Sequence, residues 1–321
     1  MDYTTLGRTR LKVGVAGLGC GGNSKIGLGA GQGARQSDAD SIALIHRALD
    51  LGVNFLDTAR AYGTEQVVGA AIKTVPRESV IVSSKHQAGP KVTAAALATE
   101  IDASLRDLQT DYVDIFHLHG VHPEQYDHAL NDLVPVLLQA RDAGKIRFLG
   151  ITETSPNDHG QIMLNRAAGD GCWEVMMLGF NMMHVVARTG LLPKTMENGI
   201  GTLIMFAVRN LFSVPGRLQE TMRALAANGR VSDWLAEADD PLGFLVHPED
   251  GGAASVIEAA YRFARHEPGA DVVLFGTGEI DHLEANIAAI LKPPLPAADT
   301  KRVAELFAHL QGVGLDPPGP V

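Results

Sequence analysis

Cysteine is scarce in this chain. Among 321 residues only Cys20 and Cys172 occur. That excludes a disulfide-stapled fold and a paired-cysteine metal site. No block of basic residues is present. Lysine and arginine number 27 against 37 acidic residues, a formal net charge of −10. This balance argues against a nucleic-acid or anionic-membrane partner. It leaves phosphate binding open, because backbone N–H groups at helix starts hold phosphates without net charge. No apolar run approaches a membrane span, and the opening MDYTTLGRTRLK has no signal-peptide core. The expectation is a soluble, cytoplasmic, globular chain, 45% hydrophobic and so able to bury a large core.

What is present is a repeat of strand and helix. Residues 11–19 (LKVGVAGLG) read as a strand region. A glycine-rich loop over 19–33 follows. Ser37 to Asp40 offer a cap and first-turn acids for a helix whose apolar face is Ile42, Ile45 and Leu49. Gly52 ends it. Strands then read over 53–57, 80–84, 112–118, 146–151, 174–178, 202–206 and 272–275. Helices between and after them read over 64–73, 93–108, 130–143, 156–168, a short stretch before Gly199, 253–266, 280–291 and 299–312.

These strands are nearly continuous apolar runs, as expected of strands covered on both faces. Strict alternation implies a parallel sheet with right-handed crossovers. About eight repeats, counted from the strand near 13–18, fit a closed (β/α)8 TIM barrel better than an open sheet. The reading is one α/β domain over 1–321. It carries a long insertion after the seventh barrel strand, 207–252, in which Leu218, Met222 and Leu225 mark a helix. We expect that insertion to cover the catalytic face.

Active sites of such barrels lie at the C-terminal ends of the strands. There the sequence puts Asp57, Lys85 and His119, with Tyr62 one turn beyond Asp57. Singly, each has a plain reading: a strand-end cap, a packing tyrosine, a surface lysine. At consecutive strand ends they read as a set. A lysine ammonium near a phenol favours the phenolate and lowers its pKa. A carboxylate holds the lysine charged. A histidine beside the phenol orients a substrate oxygen. The set can relay a proton to or from a carbonyl–alcohol pair. It contains no nucleophile and no electron sink, so the redox half belongs to a cofactor.

Two competing patterns carry less. Gly17-Leu18-Gly19-Cys20-Gly21-Gly22 matches G-x-G-x-x-G, but the segment after it is a poor helix and Asp57 is too distant for a dinucleotide fold. His117-x-His119 faces one side of a strand and suits a metal-dependent hydrolase. The later strands end on Thr152 and on Leu178–Gly179, which add no histidine ligand.

Asp57, Thr58, Ala59, Tyr62 and Gly63 complete the pattern D-T-A-x-x-Y-G. With SSK at Lys85, DYVDIFHLHG at His119, RDAGKIRFLGIT and FGTGEIDHLEAN, the chain resembles the aldo-keto reductases along essentially its whole length. The resemblance implies a barrel that binds NADPH or NADH and transfers hydride between nicotinamide and an aldehyde, ketone or sugar carbonyl. Tyr62 would be the general acid, Lys85 and Asp57 its tuning pair, and His119 the orienting residue. It places the cofactor against Gly19, Cys20 and Gly21, although Cys20 alone reads as a small packing residue. Thr152 and Glu153 stand where Ser-Asn usually binds the carboxamide, and Met177 stands for the usual Gln. Phe206 would stack on nicotinamide, near Arg209. Gly276, Thr277 and Gly278 form the phosphate loop, with Gly278 where an Arg often grips the 2′-phosphate. His282 and Asn286 face adenine. Met176, Met177, Met182 and Met183 read as core, and His86 and His184 as solvated or structural. The alternative within this fold is a nicotinamide-sensing regulatory protein, as in the potassium-channel β subunits of the family.

Overall fold

A computed structural model describes residues 1–29, 36–155 and 157–315. The later part of the loop expected over 19–33, and Pro156, lie outside the described residues. In chain order the strands are β1 (Tyr3–Leu6), β2 (Leu11–Gly14), β3 (Ala16–Gly19), β4 (Phe55–Asp57), β5 (Ile81–Gln87), β6 (Val113–Val121), β7 (Ile146–Glu153), β8 (Val175–Gly179), β9 (Gly201–Met205) and β10 (Val272–Phe275). β3 to β10 pair in sequence order, and β10 returns to β3, so the parallel sheet closes into an eight-stranded barrel. The expected (β/α)8 architecture and single domain are what the chain adopts.

The expected 11–19 strand is in fact two. β2 turns back on β1 as an antiparallel hairpin, and only β3 enters the barrel. The reason is apolar burial at the barrel floor. Leu6, Leu11 and Val13 of the hairpin pack with Phe55, Ile81, Ile115, Val175, Leu203 and Val272, which point inward from six barrel strands. Each such side chain contributes roughly 1.5–3 kcal/mol by leaving water.

The helices are α1 (Asp38–Asp50), α2 (Glu65–Ile72), α3 (Ala94–Leu108), α4 (Tyr126–His128), α5 (Val134–Asp142), α6 (Ile162–Ala167), α7 (Leu191–Glu197), α8 (Asn210–Ser213), α9 (Arg217–Ala227), α10 (Asp233–Glu237), α11 (Val256–Arg265), α12 (Ile280–Ile290) and α13 (Ala297–Phe307). α1 begins where the sequence puts its cap. The Ser37 hydroxyl accepts from the Asp40 N–H, and the Asp40 carboxylate accepts from the Ser37 N–H. The helix expected over 130–143 starts earlier, at α4, and runs into α5 through a wide turn, Ala129–Leu133. Pro135 lies just beyond that turn, where its missing N–H disturbs regular helix bonding. The helix expected over 156–168 is only α6. Its first N–H groups, at Ile162 and Met163, donate to the Asp158 carboxylate at 3.0 and 2.9 Å. The helix expected in the 207–252 segment is α9, on which Leu218, Met222 and Leu225 are buried. Met176, Met182, Met183 and His184 are buried, and His86 is partly exposed.

Strand alternation decides which side chains reach the barrel axis. On β6 Phe116 and Leu118 join the core outside the barrel, while Ile115 packs inside it. His117, two residues on from Ile115, is also fully buried. Gly150 on β7 makes room for its ring. A Cβ at position 150 would lie 2.2 Å from His117 Nδ1. Gly150→Ala should therefore destabilise the chain by about 1–3 kcal/mol in urea unfolding, the cost of overpacking. In a His117→Ala background the same substitution should cost less. Equal costs in both backgrounds would contradict this packing.

Candidate active site

The four residues expected to act together do meet. Asp57 ends β4, Lys85 lies late in β5, His119 lies late in β6, and Tyr62 ends the 3-10 turn Arg60–Tyr62. Lys85 is fully buried, and each of its three N–H bonds has an acceptor. Nζ lies 2.7 Å from Asp57 Oδ2, 2.8 Å from the Thr58 carbonyl and 3.5 Å from Tyr62 Oη. The Ser83 hydroxyl donates to Asp57 Oδ1 at 2.9 Å. Ser83 was not singled out in the sequence, though it lies two residues before Lys85 and so shares its face. His119 meets the Tyr62 ring edge-on, with centroids 5.6 Å apart.

The electrostatics follow from this burial. Burial raises the Asp57 carboxyl, while Lys85 and Ser83 act against it. Burial also works against the Lys85 ammonium, but Asp57 and Tyr62 outweigh it and hold Lys85 above its ordinary value. A 2.7 Å contact and a second donor on the other carboxyl oxygen make the pair ionic. Tyr62 departs from the expectation of a lowered phenol. Burial raises it, and the ammonium offsets only part of that rise. His119 is pushed down to about 3 by burial, then by Lys85 and His86, so it is neutral at physiological pH. The His117 imidazole, also buried and close to Lys85, is held well below its ordinary value. Among the described residues, no group of three or more His, Cys, Asp or Glu could hold a metal ion, and His117 and His119 find no third ligand.

Most of the other sequence-predicted positions lie at or just after the C-terminal ends of barrel strands. Gly19 ends β3, opposite Asp57 in the sheet. Cys20 is fully buried, its N–H donates to the Asp57 carbonyl, and burial drives its thiol upward. Gly21 faces the Tyr62 ring so closely that a Cβ there would lie 2.5 Å from it. Thr152 is buried, and its hydroxyl accepts from the Gly120 N–H. Met177 lies among the side chains inside the barrel. Phe206 adopts φ 65°, a left-handed conformation that is costly for an aromatic residue. The Arg209 guanidinium lies 4.8 Å from its ring centroid.

Glu153 is different. It is buried at the end of β7, with Oε1 accepting from the Gly179 N–H at 3.0 Å and Oε2 from the Gln161 side-chain amide at 2.9 Å. Burial raises its pKa to about 8 despite those donors. Gln161 was missed in the sequence reading. It is fully buried at φ 51°, immediately before α6, and its amide also donates to the Gly179 carbonyl.

At the start of α12 lies a cleft of about 440 Å³, lined by Asp40, Gly278, Glu279, Ile280 and Asp281 among others. Gly276 sits against the Gly19 carbonyl, and Thr277 Oγ1 accepts from the Glu279 N–H at 3.0 Å. Gly278 presses on the turn that follows β3: a Cβ there would lie 2.7 Å from Gly27 Cα. His282 is exposed and Asn286 partly so. The neighbouring Glu284 is paired to Arg47. The residues lining the cleft are acidic or neutral, and position 278 has no room for the arginine expected there.

Because the folded Glu153 binds its proton more tightly than the unfolded one, its contribution to stability is complete below its ordinary value of 4.5. It is lost as pH rises toward about 8. Urea unfolding at several pH values should show wild type losing stability over that interval, with a shallower fall in Glu153→Gln. Identical slopes would contradict the burial of a titrating carboxyl at this site.

Comparison with known proteins agrees with this geometry. The description "Aldo/keto reductase family" matches residues 25–308. L-galactose dehydrogenase of Arabidopsis thaliana is 26% identical over 98% of this chain and 95% of its own length. Aldo-keto reductase YhdN of Bacillus subtilis is 28% identical over 100% of this chain and 97% of its own. Among solved structures, the holo form of aldo-keto reductase AKR11C1 from Bacillus halodurans superposes with a TM-score of 0.74 at 21% identity. It covers 98% of this chain and 100% of its own. The chain therefore belongs to the aldo/keto reductase family and is an NAD(P)H-dependent oxidoreductase.

Proposed function

We propose that this protein reduces the carbonyl of a small aldehyde, ketone or sugar, or oxidises the corresponding alcohol, with Tyr62 as the group that gives and takes the proton. The observation that carries this is the buried Asp57–Lys85–Tyr62 chain with His119 against the phenol. The residues present fit a nicotinamide cofactor. Phe206 stands partly exposed just beyond the end of β9 with the Arg209 guanidinium over its ring, a flat aromatic face and a cation such as a dinucleotide would meet. When bound, the cofactor supplies or accepts the hydride at the carbonyl carbon.

The chain's own residues handle the oxygen. His119 is neutral, so a ring N–H is available to donate to the carbonyl oxygen and fix its position. Tyr62 is held protonated by burial, which suits an acid working in the reductive direction. As negative charge builds on the substrate oxygen, the phenolic proton moves to it. The phenolate left behind faces the Lys85 ammonium, which stabilises it and is itself anchored by Asp57. In the opposite direction the phenolate takes the alcohol proton, so alcohol oxidation gains as pH rises.

The relative that is a sugar dehydrogenase by name favours polyhydroxylated substrates among these classes. Tyr62→Phe should lower turnover by about 10²–10⁴-fold, the usual worth of a positioned proton donor. Nucleotide affinity, read by nicotinamide fluorescence, should stay within about twofold, because a general acid acts mainly in the transition state. Activity close to wild type would remove Tyr62 from this role.

A further inference from the structure

The inward face of β5 reads, from floor to mouth, Ile81, Ser83, Lys85 and Gln87, because alternate side chains of a strand share a face. Ile81 packs with the apolar side chains inside the barrel, the Ser83 hydroxyl holds Asp57, and the Lys85 ammonium reaches Asp57 and Tyr62. These three are buried, and Gln87 is exposed. An exposed glutamine is ordinary on a protein surface. This one is the outermost member of a file whose previous member sets the field at Tyr62. Its register partner on β6 is His119, whose ring meets the Tyr62 ring edge-on. Paired positions of parallel strands carry their side chains on the same face, and neighbouring strands lie about 4.8 Å apart. Gln87 and His119 therefore stand side by side on the site face of the barrel mouth.

The neighbouring polar groups are already committed. Asp57 is bonded to Lys85 and Ser83, and the Thr152 hydroxyl accepts from the Gly120 N–H and donates to the Glu153 carbonyl. The Gln87 amide makes no hydrogen bond to another described residue. Arg60, at the start of the turn that carries Tyr62, is engaged by three carboxylates, those of Glu65, Glu100 and Asp107. It has no charge to spare for an anionic substrate. What Gln87 offers beside His119 is a neutral donor and a neutral acceptor on one side chain. A hydroxyl group is the partner that uses both.

Resting on the oxidoreductase reading above, we infer that Gln87 selects the substrate by binding a hydroxyl on the carbon next to the carbonyl, so that the substrates are uncharged α-hydroxy aldehydes or ketones, open-chain sugars among them. With the carbonyl oxygen held by Tyr62 and His119, a substituent on the β5 side falls within reach of a side chain one strand away from His119. The carbonyl carbon takes the hydride and its oxygen takes the Tyr62 proton. The α-hydroxyl keeps its own proton, so Gln87 orients the substrate without entering the transfer. An alkyl analogue forfeits the bond to the amide, and a carboxylate analogue meets no counter-charge from Arg60.

Steady-state kinetics with three ketones of similar size test this. They are hydroxyacetone, butanone, which has a methyl in place of the hydroxyl, and pyruvate, which has a carboxylate in place of the hydroxymethyl group. NADH and NADPH would each be supplied as reductant. Wild type should use hydroxyacetone with the highest kcat/KM. An α-hydroxyl also activates a carbonyl, so the deciding readout is the hydroxyacetone-to-butanone ratio in Gln87→Met, which keeps the length of the side chain and removes the amide. That ratio does not depend on how much of the variant folds. It should fall by about tenfold, the worth of one hydrogen bond. An unchanged ratio would overturn the inference. So would a wild type that reduces butanone or pyruvate as well as hydroxyacetone, or that reduces only other carbonyls, and each of these leaves the oxidoreductase reading intact. Failure of wild type to reduce any carbonyl with either nucleotide would overturn both.

Discussion

The rest of the site depends on one buried ion pair, Lys85 with Asp57. Neither partner can be removed cheaply. Stranding the other as a buried charge costs about 3–5 kcal/mol, more than a surface pair ever contributes. The protein meets this constraint by leaving no spare valence. Lys85 has three acceptors, and Asp57 takes a second donor from Ser83. That satisfaction fixes the ammonium at one distance from the Tyr62 oxygen. It also sets the field in which neighbouring groups titrate: His117 and His119 are pressed toward neutrality partly by the same charge.

The barrel exists around that pair as a means of holding strand ends in register. Lys85 pairs with His117 across β5 and β6, and Gly19 pairs with Asp57 across β3 and β4. Below the polar layer, the β1–β2 hairpin seals the floor with Leu6, Leu11 and Val13. Apolar packing fills one end of the barrel and leaves the other end free for chemistry. A static, well-packed lower layer suits a reaction in which positioning supplies most of the acceleration.

Much of this was legible in the sequence, for identifiable reasons. Asp57, Lys85 and His119 could be placed together because each lies near the end of an apolar run, and parallel runs that end together meet in space. The β1–β2 hairpin was not legible, because residues 11–19 read as one apolar stretch and nothing local marks where the barrel begins. The direction of the Tyr62 shift was not legible either. Proximity to lysine lowers a phenol and burial raises it, and only the packed site shows which is larger. Gln161 was hidden for a third reason: its contacts with Glu153 and Gly179 are tertiary, formed across the loop between β7 and α6, and no spacing rule reports them. Position 278 was correctly read as lacking its arginine, but the pressure of Gly27 against it appears only in three dimensions.

The proposed reaction moves hydride between a nicotinamide and a carbonyl carbon. The most direct measurement is isotope transfer. Purified protein would be mixed with NADH or NADPH deuterated at the reactive C4 position and with a panel of aldehydes, ketones and sugars. Mass spectrometry would follow the alcohols formed. The proposed reaction should leave deuterium on the former carbonyl carbon of at least one substrate. Tight nucleotide binding with no deuterium transferred to any carbonyl would contradict it and would favour a nucleotide-sensing role for the same site.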